Sequence, residues 1–234
     1  MAENAVIDVK NLHKVYRTGQ VEVKALRGFD LTVKPGEFSV LAGPSGSGKS
    51  TLLNIIGALD IPTKGQVLIE GHDLSKLNAP QLSVLRRDRI GFVFQAYNLI
   101  PVLSGVENVE FILMIQGIDA ATRRKRARDI LDRVGLGDQM NRRPIDMSGG
   151  QQQRVAVARA IVSKPAIVLA DEPTANLDSK TAGDLLDLME ELNEKQGITF
   201  VFSSHDRNVI ERAHRLLSLQ DGMLVKDETM AAVN

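Results

Sequence analysis

The sequence predicts an α/β chain: a mostly parallel sheet covered by helices, preceded by a strand-rich part and interrupted by a helical insertion. Three observations carry that expectation. Short apolar runs alternate with helical stretches through the last third of the chain, the pattern of a parallel sheet covered on both faces. The first third is dense in Val, Leu and Phe, with Gly and Pro as punctuation. A glycine-rich turn joins a buried strand to a helix. With 234 residues, 43% of them hydrophobic, the chain suits one large domain, 1–234. The core is expected over about 1–96 and 164–234, and the helical insertion over about 97–163.

The elements follow in order. Val6 to Leu12, Val21 to Val33 and Phe38 to Ala42 read as strands, separated by Gly19 and by Pro35-Gly36. Lys49 to Leu59 reads as a buried helix, and Val67 to Ile69 and Ile90 to Phe94 as short strands. From about Val106 to Val134 the period is helical, with Ala127, Ile130, Leu131 and Val134 three and four apart. A second helix is expected from Ser148-Gly149-Gly150. Strand and helix then alternate over Ile167 to Ala170, Ser179 to Lys195, Ile198 to Ser203, Asn208 to Ala213 and Arg215 to Leu219.

Composition excludes several functions. Lysine plus arginine equals aspartate plus glutamate, 29 against 29, which gives no electrostatic case for a nucleic-acid partner. The run Arg123-Arg124-Lys125-Arg126 has Asp129 and Asp132 nearby and no interleaved aromatics, so a solvated helix face is expected. No cysteine means no disulfide and no thiolate metal site, and the four histidines are scattered. Met1 to Lys10 lacks the basic start and apolar core of a signal peptide. No window approaches the roughly 18 apolar residues of a membrane span. The expectation is a cytoplasmic protein that reaches a membrane only through a partner.

Gly43-Pro44-Ser45-Gly46-Ser47-Gly48-Lys49-Ser50 matches G-x-x-x-x-G-K-[ST], a phosphate-binding loop. Backbone N–H groups must converge on a phosphate, which the glycines permit, and the helix that follows offers free N–H groups and the positive end of its dipole. Lys49 is placed to reach β- and γ-phosphates, and the Ser50 hydroxyl to bind Mg²⁺. Thr51, next along the helix, completes the nucleotide-binding segment. Ile167 to Ala170 ends in Asp171 and Glu172, at the carboxyl end of a strand, where ligands bind in open α/β folds. Asp171 is expected to hold Mg²⁺, and Glu172 to polarise an attacking water.

Met147-Ser148-Gly149-Gly150-Gln151-Gln152-Gln153-Arg154, between the loop and the acidic pair, resembles the signature of ABC ATPases. With the other motifs in order, the chain resembles ABC-transporter nucleotide-binding subunits over about residues 6 to 225, which implies the ABC ATPase cassette fold: a P-loop NTPase core with an N-terminal antiparallel β part and a helical insertion. Met147 stands where Leu is commonest in the family, a flexible apolar residue for another. The resemblance implies ATP hydrolysis with Mg²⁺, and a head-to-tail dimer in which Ser148, Gly149, Gly150 and Gln151 of one copy face ATP held by the other. It further implies that Tyr16 stacks on adenine, that Gln95 contacts Mg²⁺ and the attacking water, that Asp178 belongs to the D-loop, and that His205 contacts the γ-phosphate. Gly91 to Pro101, Glu107-Asn108-Val109 and Leu169 to Asp178 resemble the MacB, LolD and FtsE group. That resemblance implies an FtsX-like integral membrane permease as partner, docked near Tyr97 to Val109, and work in export or in lipoprotein or lipid extraction at the inner face of the membrane. A soluble ABC ATPase of cofactor-assembly type and an FtsE-like regulator of a periplasmic hydrolase are the alternatives.

Overall fold

The computed structural model describes residues 5–230. Two sheets form. The first third supplies β1 (Ile7–Thr18), β2 (Val21–Val33) and β3 (Phe38–Ala42), then α1 (Lys49–Ile56), β4 (Lys64–Ile69), β5 (His72–Asp73), α2 (Ala79–Arg89) and β6 (Ile90–Phe94). Next come three helices, α3 (Gly105–Ile115), α4 (Ala120–Arg133) and α5 (Gly149–Ile161). The chain closes with β7 (Ile167–Asp171), α6 (Ser179–Gln196), β8 (Phe200–Ser204), α7 (Arg207–Glu211), β9 (Arg215–Gln220) and β10 (Met223–Thr229).

The small sheet has the order β2-β1-β4-β5 and is antiparallel. The large sheet has the order β10-β9-β3-β8-β7-β6, parallel from β9 to β6, with β10 antiparallel on its edge. Side chains alternate across a strand, and here each face meets a different core. Phe38, Val40, Val168, Ala170, Phe200 and Phe202 pack against α3 to α6. Leu41, Ile167, Leu169, Val201 and Leu217 pack against α1 and the antiparallel sheet. Burial on both faces is why β3, β7 and β8 read as unbroken apolar runs.

The parallel register sets the site. Ala42 pairs with Ser204, Asp171 with Ser203, and Phe94 with Asp171. The residues that follow these strands, Gly43, Glu172, His205 and Gln95, therefore leave the sheet from one edge.

Some elements depart from the sequence reading. The helical stretch 106–134 is two helices, broken where Gly117 takes φ 78°. β1 continues past Leu12 to Thr18 through register shifts. α1 stops at Ile56, where Gly57 caps it and Ala58 turns to φ 54°. Helix α2 and strand β10 were not expected: α2 buries only Leu85, so it has no apolar period, and β10 is a polar edge strand. The basic run on α4 is not wholly solvated, because Arg124 Nε reaches Glu110 Oε1 of α3 at 2.7 Å.

Candidate active site

Two glycines of the phosphate loop, Gly43 and Gly48, stand where backbone leaves no room for a side chain. Gly48 caps α1 with φ 105°, and a Cβ there would lie 2.6 Å from the Ala25 carbonyl oxygen. A Cβ on Gly43 would lie 2.2 Å from the Leu219 carbonyl oxygen. Both obstacles are backbone atoms of packed strands, so neither yields. Helix α1 begins with no side-chain cap and no acid in its first turn, which leaves its leading N–H groups for an anion. Lys49 is almost buried, and its Nζ donates to the carbonyls of Gly43 (2.7 Å) and Pro44 (3.1 Å). The ammonium is thereby bent over the loop it serves. Ser47 Oγ is buried without a hydrogen-bond partner among the described residues.

Beside the loop, Ser50 Oγ donates to Asp171 Oδ1 at 3.2 Å. Two hard oxygen donors at this distance suit Mg²⁺, which takes one or two protein ligands and fills the rest with water and phosphate oxygens. Glu172 sits at φ 45°, a left-handed conformation uncommon for a residue with a Cβ. Both of its oxygens are held: Ser204 Oγ donates to Oε2 at 3.1 Å, and Nδ1 of His205 meets Oε1 at 2.7 Å, the ring donating. The carboxylate is thus fixed in direction at the mouth of the site.

A cavity of about 840 Å³ opens over these groups. Pro44, Ser45, Gly46, Gly48, Lys49, Ser50 and Thr51 line it, together with Glu172 and His205 and with Tyr16, Val23 and Ala25. Tyr16, on β1, donates its hydroxyl to Asp60 Oδ2 at 2.7 Å. Partial burial, and then the Asp60 carboxylate, hold the Tyr16 phenol above its ordinary pKa.

Other expected site residues stand elsewhere. Gln95 does not line the cavity; its amide donates to Asn176 Oδ1 at 3.4 Å, and Asn176 donates to the Gln95 carbonyl at 2.9 Å. None of Ser148, Gly149, Gly150 or Gln151 lines it either. Ser148 caps α5 in a capping box with Gln151, accepting from its N–H at 3.3 Å while the Gln151 side chain accepts from the Ser148 N–H at 3.0 Å. Gly149 and Gly150 pack closely against side chains: a Cβ would lie 2.7 Å from the Tyr97 hydroxyl and 2.3 Å from Thr181 Cγ2, so either tip would have to move to admit one. Asp178 caps α6, accepting from Thr181 N at 3.0 Å and Thr181 Oγ1 at 2.6 Å, which holds its carboxyl below the usual range.

Sequence reasoning missed Ser204, the Asp60 anchor of Tyr16, and the pairing of Gln95 with Asn176, a residue it placed only in the D-loop. Ser204 adjoins His205, and only the register of β7 with β8 reveals that it faces Glu172. Asp60 lies far from Tyr16 in the chain and belongs to no motif, so nothing in the sequence points to it.

The model of the ABC transporter family matches residues 26–175. An ABC transporter ATP-binding protein of Thermotoga maritima is 47% identical over 219 residues, covering 94% of this chain and 93% of that one. The macrolide export ATP-binding/permease protein MacB of Brucella melitensis is 46% identical over 229 residues, 98% of this chain but 35% of that protein. Among solved structures, the dimeric ATP-binding cassette MJ0796 of Methanocaldococcus jannaschii, in a post-hydrolysis state bound to ADP and Pi, superposes with a TM-score of 0.88 at 44% identity. That match covers 97% of this chain and all of the other.

Proposed function

Since the chain belongs to the ABC transporter family as an ATP-binding, ATP-hydrolysing cassette, we propose that it works as a head-to-tail dimer that couples ATP turnover to an FtsX/MacB-type membrane permease, in export or in lipoprotein or lipid extraction. One observation carries the dimer. The cavity holds the phosphate loop, Glu172 and His205 but no residue of Ser148–Gln151. A signature helix so placed has its capped N-terminus free to face the nucleotide of another copy.

Within each site we assign roles by position. The loop N–H groups and Lys49 bind and orient the phosphates, and Lys49 exchanges its contacts with two carbonyls for phosphate oxygens. Ser50 and Asp171 would hold Mg²⁺, with Gln95 joining as its segment moves, and the ion would neutralise charge on the β- and γ-phosphate oxygens. Glu172, held by Ser204 and His205, orients a water and takes its proton at Oε. His205, largely exposed, is free to turn toward the γ-phosphate. Tyr16 offers its ring to adenine, and Asp178 fixes the start of α6 beside the dimer face.

Two observations support the permease. The MacB relatives are ATP-binding/permease proteins of which this chain spans about a third. A groove of about 430 Å³ between the core and the three-helix insertion is lined by Phe92, Phe94, Asn98, Phe111 and Ile115, with Phe111 and Ile115 partly exposed. No helix among the described residues is long and apolar enough to cross a membrane. The test is affinity purification from detergent-solubilised membranes with a cross-linker placed at Phe111. The expected product is a cross-link to an integral permease with a large extracytoplasmic domain. Recovery of the cassette cross-linked only to soluble proteins would favour the cofactor-assembly alternative.

A further inference from the structure

We propose that Asp60 and Lys14 are positioning residues for the nucleotide base, forming a clamp that fixes the Tyr16 ring with one face covered and the other turned to the cavity. The inference rests on the reading of Tyr16 as the adenine platform and adds how that platform is held.

Lys14 and Tyr16 are two apart on β1, so they project from the same face of the strand. Lys14 Nζ lies 4.8 Å from the centroid of the Tyr16 ring, within cation–π range. The same ammonium donates to Asp60 Oδ1 at 2.6 Å and to the Ile61 carbonyl at 2.8 Å. Asp60 in turn accepts the Tyr16 hydroxyl on Oδ2 at 2.7 Å. Three side chains thus close a ring of contacts: ammonium over the aromatic face, carboxylate under the ammonium, hydroxyl on the carboxylate.

Burial and accessibility give the clamp its direction. Lys14 is 8% exposed and does not line the cavity, whereas Tyr16 is 38% exposed and does. The cation therefore occupies the side of the ring away from the cavity, and the open side is the one a purine can stack on. An unrestrained tyrosine at the edge of a sheet would lose rotamer freedom on stacking. Here the two side-chain torsions are fixed before the base arrives, by a charge-assisted hydrogen bond at the far end of the ring. Burial alone would raise the Asp60 carboxyl, but hydrogen bonds from Lys14, Tyr16 and the Ile61 N–H hold it below the usual carboxylate value. The acceptor is therefore charged throughout the neutral range.

The test compares ATP hydrolysis by Tyr16→Ala, Tyr16→Phe, Asp60→Ala and the double variant Tyr16→Phe/Asp60→Ala. Tyr16→Phe keeps the stacking face and removes only the hydroxyl, so it carries the test even if Asp60→Ala folds poorly. The clamp predicts that Tyr16→Phe and Asp60→Ala each raise KM for ATP about 5-fold, with kcat nearly unchanged, and that the double variant is no worse than either single one. Tyr16→Ala should raise KM further, by about 30-fold. A second readout is spectroscopic. The chain has two tyrosines and no tryptophan, so subtracting the ultraviolet phenol titration of Tyr16→Phe isolates Tyr16. In Asp60→Ala that titration should move to lower pH.

Wild-type KM in Tyr16→Phe together with a raised KM in Tyr16→Ala would overturn the clamp and leave the platform standing. Wild-type KM in Tyr16→Ala would remove the platform itself, and the clamp with it. Full additivity in the double variant would also overturn the clamp, because the hydroxyl and the carboxylate would then act independently.

Discussion

Glu172, the general base of the proposed mechanism, is a side chain whose direction is set by its neighbours. Its left-handed φ of 45° and its two hydrogen bonds, to Ser204 and His205, hold the carboxylate where β7 leaves the sheet. Strain of this kind persists only where surrounding contacts over-determine it. Glu172→Gln keeps the shape and removes the basic oxygen, so kcat should fall by on the order of 10²–10³ while ATP binding persists. Steady-state ATPase assays beside an ATP-binding titration check both halves. Lys49→Ala should show the opposite signature, a loss of nucleotide affinity. Much at this scale is legible in the sequence, because Gly43–Ser50, Asp171, Glu172 and His205 belong to ordered motifs. Ser204 and Asp60 are not, since each acts through a partner that only the fold brings near.

Among the elements, the β3–loop–α1 unit depends on glycines whose neighbours are backbone. Gly48→Ala would place a Cβ 2.6 Å from the Ala25 carbonyl oxygen at φ 105°. It should cost about 1–3 kcal/mol of stability and lose ATP affinity beyond what that destabilisation explains. Thermal unfolding with and without ATP separates the two effects. At the other end of the sheet, Arg215 at the start of β9 donates to Asp227 on β10 (2.8 Å) and to Glu37 (2.9 Å). The hydrogen bond from Arg215, against an opposing effect of burial, holds the Asp227 carboxyl below its ordinary value. A folded-state pKa depressed in this way stabilises the protein above the unfolded value of about 3.9, and that contribution is lost as pH falls through the folded value. Asp227→Asn should therefore lower Tm at pH 7 and converge with wild type in acid, as Tm measured from pH 7 to pH 2 would show. Buried-strand runs made β3, β6 and β7 readable to within a residue. Helix α2 escaped because it buries Leu85 alone, although its Asn78–Gln81 capping box was there to be found.

For the whole molecule, the two faces of one sheet are divided between two cores. One joins the sheet to α3–α6, and the other joins it to α1 and the antiparallel sheet. The first anchors α5 and the second anchors α1 behind the phosphate loop, so within one copy Ser148–Gln151 stay apart from the loop, as the proposed head-to-tail dimer requires. The parallel order was legible from alternating runs and helices. The separation of Ser148–Gln151 from the cavity was expected only through the family resemblance, because sequence order alone says nothing about which copy a motif serves. The most direct test is light scattering on Glu172→Gln with saturating ATP, with and without Ser148→Arg added. The account predicts an ATP-dependent dimer for Glu172→Gln, and a monomer that still binds ATP once Ser148→Arg blocks the signature. A Glu172→Gln protein that stays monomeric in ATP, or a dimer indifferent to Ser148→Arg, would contradict it.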